Sequence, residues 1–149
     1  MWGESVNEVS APALASERGI QVIEQRRGEQ ENFASSLTVR VRGKTDFSVE
    51  GTLFGRRDPR IVRVNQFDIE AVPSGQLIAI HNRDVPGVVG RVGTLLGDSS
   101  VNIGRIHLSR DQQRGEAFSL INVDTEVPDS VLEGLRQLNG VVSVRQIAL

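Results

Sequence analysis

The chain has 149 residues, 17 of them basic and 19 acidic, for a formal charge of -2; 38% of its residues are hydrophobic. That length and composition allow one ordinary core or two small ones, and they exclude a disordered chain. Neither half offers a polyanion a continuous positive field, with 10 basic against 11 acidic residues up to Gly75 and 7 against 8 after it, so nucleic acid is not an expected partner.

The absence of Cys removes thiol nucleophiles, disulfides and thiolate metal sites together. No apolar run has the length needed to span a bilayer, and the first seven residues lack a basic flank followed by an apolar stretch. A soluble, cytoplasmic, non-membrane protein is therefore expected.

In chain order, residues 10–18 read as a short helix, with Ser10 as a possible N-cap, Pro12 in the first turn and Gly19 as the stop. Residues 20–23 form a short strand candidate. Residues 32–42 bring Phe33, Leu37, Val39 and Val41 into alternation, a turn follows at Gly43 and Lys44, and Phe47, Val49 and Leu53 alternate again. Two antiparallel strands explain that pattern. A turn over 55–58 leads to two further strands, 61–64 and 67–72, around Asn65 and Gln66. So few apolar positions make this region marginal by itself, and a preceding half of the same domain is expected.

Pro73, Ser74 and Gly75 mark the expected boundary between a domain over residues 1–75 and one over 76–149. Residues 77–81 are apolar on both faces, as in a central strand. A helix over 85–96, strands over 103–109 and 117–123, a helix over 128–138 and a strand over 141–147 complete the order β-α-β-β-α-β. Crossover helices reaching neighbouring parallel strands favour a split βαβ, ferredoxin-like sandwich. The expected fold class is α+β: a ferredoxin-like βαββαβ domain preceded by a small, incomplete, mainly antiparallel α+β domain.

The most informative stretch runs from His81 through Asn82, Arg83, Asp84, Val85 and Pro86 to Gly87. Asp84 or a neighbour can cap the next helix, Pro86 suits its first turn, and Gly87 keeps bulk away from a helix start whose amide N–H groups face outward. Such a corner can receive a carboxylate; an ordinary capped helix explains the same residues. Gly90 and Gly93 each weaken that helix by roughly 1 kcal/mol relative to Ala, which calls for the close approach of another backbone or a ligand, or a tight fit on the helix's own sheet. Gly97 reads as a C-terminal stop, and the spacing is not a dinucleotide fingerprint. Asn102 enters the next strand either as a local turn residue or as an amide offering a ligand both a donor and an acceptor. His81 and His107 lack the partners of a catalytic or metal site. Arg56, Arg57, Arg60 and Arg63 flank one turn, where guanidinium groups either meet an anion or stand in solvent.

Two stretches before Gly75, Ala11-Pro12-Ala13-Leu14-Ala15-Ser16-Glu17-Arg18-Gly19-Ile20 and Glu50-Gly51-Thr52-Leu53-Phe54-Gly55, resemble the intervening domain of the long-form D-3-phosphoglycerate dehydrogenase family. Asn82-Arg83-Asp84-Val85-Pro86-Gly87-Val88-Val89-Gly90, Val92-Gly93-Thr94-Leu95-Leu96-Gly97 and Val101-Asn102-Ile103 resemble its ACT domain. The resemblance implies a noncatalytic regulatory segment with no cofactor of its own, NAD and hydride transfer belonging to a missing catalytic part. It implies feedback inhibition by L-serine or a similar small amino acid, bound at the helix start by Asn82, Asp84, Val85, Pro86 and Gly87, with Asn102 supplied by a neighbouring subunit of a dimer or higher oligomer. The family's characteristic basic position in the anion-binding intervening domain falls on Arg60, whereas the second basic residue expected near residues 70–72 is absent. A module for another amino acid and a purely structural oligomerisation module are the alternatives; an independent enzyme finds no nucleophile, acid–base pair or cofactor loop here.

Overall fold

A computed structural model describes residues 9–22, 36–44, 46–55 and 57–149. The chain divides into two compact units, Met1–Asn32 and Phe33–Leu149. In the first, α1 (Ala11–Glu17) has Pro in its opening turn. It ends on Gly19 at φ +69°, with Gly19 N–H donating to the Ser16 carbonyl (3.0 Å) and Ile20 N–H to the Ala15 carbonyl (2.9 Å). This double closure needs a left-handed residue that only Gly supplies cheaply. Ser10 occupies the N-cap position with helical rather than extended dihedrals and its side chain makes no cap hydrogen bond, contrary to the capping role expected of it. Residues 20–22 are irregular, not a strand; Ile23 and Phe33 lie outside the described residues.

The second unit holds two four-stranded sheets. The first has the order β1-β2-β3-β4, built from β1 (Ser36–Val41), β2 (Phe47–Phe54), β3 (Asp58–Val64) and β4 (Phe67–Ala71), all neighbours antiparallel. Asn65 makes the tight turn between β3 and β4 at φ +51°, and both its backbone N–H and its side-chain oxygen are tied to the Ser48 backbone at 2.8 Å. Asn tolerates this left-handed region better than other side chains do.

The second sheet comprises β5 (Gln76–Arg83), β6 (Ile103–Asp111), β7 (Glu116–Val123) and β8 (Val141–Ala148), in the order β6-β7-β5-β8. Two helices, α2 (Val88–Asp98) and α3 (Asp129–Gln137), complete the βαββαβ order. Every pairing in the sheet is antiparallel. The strands joined by α2 are parallel but not neighbours, because β7 is inserted between β5 and β6; the expectation of neighbouring parallel strands is corrected accordingly. The α+β class and the ferredoxin-like order are as the sequence indicated.

Ile78, Ile80, Val123 and Val144 face Val88, Val92, Leu96, Leu132 and Leu135 of the helices. Each such side chain contributes roughly 1.5–3 kcal/mol when fully buried. A Cβ on Gly134 would stand 3.2 Å from Leu95, so the small residue permits the close helix–helix contact. The opposite face of the sheet is also covered: Phe118 and Leu120 pack on Val64, Phe67, Ile69 and Ala71 of the first sheet. This two-sided cover explains why β5 reads as apolar on both faces. The intervening link is tied down by Asn122, whose amide donates to the Val72 and Ser74 carbonyls at 3.3 and 3.0 Å.

Candidate functional site

The corner foreseen between the first strand and helix of the βαββαβ module is held by three backbone hydrogen bonds. Arg83 N–H donates to the Gly140 carbonyl (2.7 Å), Asp84 N–H to that of Gly115 (2.8 Å), and Val85 N–H to that of Arg83 (2.9 Å). Gly87 then adopts φ +85° at the N-cap of α2, a conformation that L side chains avoid on steric grounds. Its role is therefore conformational. The helix starts at Val88, so Val85 and Pro86 precede it instead of forming its first turn, and no side-chain cap hydrogen bond closes it. Amides at such an end carry the partial positive charge of the helix dipole.

Asp84 does not cap α2, contrary to expectation. Its carboxylate accepts two hydrogen bonds from Arg110 Nε, at 3.0 and 2.9 Å, and stands 2.9 Å from Arg110 Nη2. Arg110 reaches it from the end of β6, a partner that sequence reasoning missed because the contact joins two separate strands. Asn82 is buried, with 4% of its surface exposed, and its amide donates to the Arg83 carbonyl at 2.7 Å. Beneath α2 a cavity of about 10 Å³ lies against Asn82, Ser119 and the aliphatic side chains of Val88, Val89, Ile106 and Ile121. Ser119 was not singled out by sequence: one hydroxyl inside the run from Ala117 to Val123 looks like the wet side of a strand, but it too is buried.

Asn102 lies at the far end of the sheet from this corner. It precedes β6, whereas Asn82 and Asp84 follow the parallel path of β5 to its end. Its side-chain amide donates to the Asp124 carboxylate at 2.6 Å, and its backbone carbonyl accepts from Asp124 N–H at 3.2 Å. Asn82, Asp84, Val85, Pro86 and Gly87 are thus brought together within one chain and Asn102 is not. A Cβ on Gly90 or Gly93 would meet nothing within 4 Å. The tight fit on the helix's own sheet is thereby ruled out as their reason.

In the first sheet Arg60 is paired with Asp58, stands 3.9 Å from Glu70, and covers the Phe54 ring at 5.6 Å from its centroid. Arg63 bonds Asp68 at 2.7 Å, and Arg56 lies outside the described residues. Arg60 and Arg63 are thus each engaged by carboxylates of the same sheet. His81 stands 3.3 Å from the Glu116 carboxylate and edge-on to Phe67 at 5.7 Å. Burial, reinforced by Arg105 and Arg60 and opposed by Glu70, pushes the His107 pKa below its ordinary value. Among the described residues no group of three or more His, Cys, Asp or Glu side chains could hold a metal ion, and no helix is long and apolar enough to cross a membrane.

Comparison with known proteins divides the chain in two. Residues 1–65 match the D-3-phosphoglycerate dehydrogenase intervening domain, and residues 76–140 match the ACT domain. A D-3-phosphoglycerate dehydrogenase of Bacillus subtilis (strain 168) is 35% identical over 146 residues, covering 97% of this chain and 28% of that protein. One from Synechocystis is 33% identical over 139 residues, covering 93% and 25%. The chain thus spans about a quarter of the length of these relatives. The ACT domain from GTP pyrophosphokinase of Chlorobium tepidum aligns with a TM-score of 0.41 at 19% identity, over 50% of this chain and 97% of that one.

Proposed function

Because the chain corresponds to the intervening and ACT regulatory part of D-3-phosphoglycerate dehydrogenase, we propose that it serves an NAD-dependent, cytoplasmic enzyme of that kind as a noncatalytic sensor of L-serine. In this reading residues 1–75 belong to the intervening domain and 76–149 to the ACT domain. NAD and hydride transfer lie with a catalytic part outside these residues.

The observation that carries the proposal is the corner at Gly87: α2 begins without a side-chain cap, beside Asp84 and the buried Asn82. A free amino acid complements that arrangement. Its carboxylate meets the helix-start amides, and its ammonium meets Asp84 in competition with Arg110. Inhibition then requires tighter binding to one subunit arrangement than to another, since equal affinity moves no equilibrium.

A second copy completes the site. β6 is an edge strand, and the exposed Val89, Ile106 and Leu108 lie on or beside it. Antiparallel apposition of two β6 edges sets the start of one against the end of the other, so Asn102 of the partner subunit approaches the Asp84 end. Gly90 and Gly93, where an added Cβ would meet nothing within 4 Å among the described residues, leave room for that approach.

Calorimetry with L-serine, glycine and L-valine, together with sedimentation, tests the reading. Serine binding by a dimer is expected. Dimers that bind none of the three would leave assembly as the function, the alternative favoured by the exposed β6 edge, and a preference for valine would assign the module to another amino acid. Arg60 enters as an anion contact in the first sheet, where an anion must compete with Asp58 and Glu70 for the guanidinium; its exchange for Gln should weaken phosphate binding by the intact parent and leave serine binding unchanged.

A further inference from the structure

Ser119 is 4% exposed, and its hydroxyl is not among the fully buried side-chain atoms left without a hydrogen-bond partner, although the residue lines the cavity under α2. Buried hydroxyls are ordinarily paired, with protein or with water. A group from outside the chain, water or ligand, can therefore serve as its partner. Ser119 sits opposite Ile80 and Asn82 opposite Ala117, which makes Ser119 and Asn82 diagonal neighbours on the helix-facing side of the sheet, about 7–8 Å apart. Between them opens the cavity of about 10 Å³ under α2, room for roughly one water-sized group. Its other walls are aliphatic, and two of them, Val89 and Ile106, are each 43% exposed. Because the Asn82 amide N–H is used by the Arg83 carbonyl, the side-chain oxygen of Asn82 remains as an acceptor, while the Ser119 hydroxyl can both donate and accept.

We propose that Ser119 and Asn82 form a subsite that takes the side-chain hydroxyl of the bound molecule, making Ser119 the residue that selects a small hydroxyl-bearing amino acid over its aliphatic counterpart. The ligand hydroxyl donates to the Asn82 oxygen and accepts from Ser119. An apolar methyl in the same place leaves both groups unsatisfied, the arrangement by which a polar pocket rejects an analogue lacking its hydroxyl. The size of the cavity excludes branched side chains. This assignment rests on the reading of the Gly87 corner as an amino-acid site, and the test separates the two.

Affinities of the full chain for L-serine, L-alanine and glycine are measured by calorimetry, alongside those of Ser119→Ala. The exchange removes one oxygen and adds no bulk, so the unliganded melting temperature should hold or rise, and that melt serves as the control for folding. The native chain should prefer serine to alanine, and Ser119→Ala should lose roughly 10-fold in serine affinity, the effect of one hydrogen bond in a desolvated site, with alanine and glycine within about twofold of their native values. An unchanged serine-to-alanine ratio would overturn the subsite, leaving the cavity to a bound water only; so would an equal loss for all three ligands, which would mark Ser119 as structural. Binding of glycine and alanine without preference for serine in the native chain would sink the subsite and leave the corner standing, whereas binding of none would remove both.

Discussion

Gly87 and Gly90 are alike in sequence and opposite in mechanism. The first holds φ +85° and its absent Cβ would stand 2.9 Å from Arg91 Nη1; the second is helical and faces open space. Gly87→Ala should therefore destabilise the chain by about 1–2 kcal/mol, the cost of placing an L side chain in the left-handed region. Gly90→Ala should stabilise the unassociated chain by up to ~1 kcal/mol through helix propensity. Denaturant titrations of the two variants at low protein concentration check both signs. Asn102 presents a different balance, because its bond to Asp124 is exposed. Asn102→Ala should cost only about 0.5 kcal/mol of unliganded stability, yet largely abolish the rise in melting temperature that serine produces, since a ligand stabilises only the state that binds it. An undiminished rise would strike Asn102 from the ligand contacts.

At the scale of elements, the edge strand β6 carries the assembly hypothesis. Leu108 is 44% exposed on the helix-facing side of the sheet and lies outside the cavity lining. Leu108→Lys places a charge where two copies would meet, a device that natural sheets use to prevent edge pairing. The circular dichroism of the variant should match the native chain while its sedimentation shifts to the monomer. A dimer that survives the lysine would place the interface elsewhere, with the β8 edge as the next candidate.

At the scale of the whole molecule, the described part of the second unit is joined by the face between its two sheets, where Phe67 stacks on Phe118 with ring centroids 5.6 Å apart. His107 points to that side, its Nε2 buried without a hydrogen-bond partner among the described residues. Its pKa is lowered first by burial and then by Arg105 and Arg60, against the opposing pull of Glu70. The unfolded chain therefore binds this proton more readily than the folded one. The associated stability is complete above the unfolded value of about 6.5 and is lost as pH falls below it toward the lower folded value. Melts between pH 7.5 and 5.5 should show a smaller fall for His107→Gln than for the native chain, and equal falls would assign the pH dependence to other groups.

Much of this protein is legible in its sequence, because its periodicities are local and each marks one physical requirement. Alternation fixed the strands, the Asn65 turn joined two of them, and the helical patterns of the later half gave the βαββαβ order. The segment from His81 to Gly87 was recognisable as a corner because Pro and Gly constrain backbone dihedrals wherever they occur. What the sequence could not determine was which distant groups meet. That Asp84 pairs with Arg110 instead of capping a helix depends on β6 ending beside β5's exit with β7 between them. That Arg60 is engaged by Asp58 and Glu70 depends on the register of the first sheet. Whether Ser119 faces water or a cavity depends on which side of β7 the helices cover. Hydrogen bonds and ion pairs act over a few ångströms of space irrespective of chain separation, so only the tertiary structure decides which side chains they join.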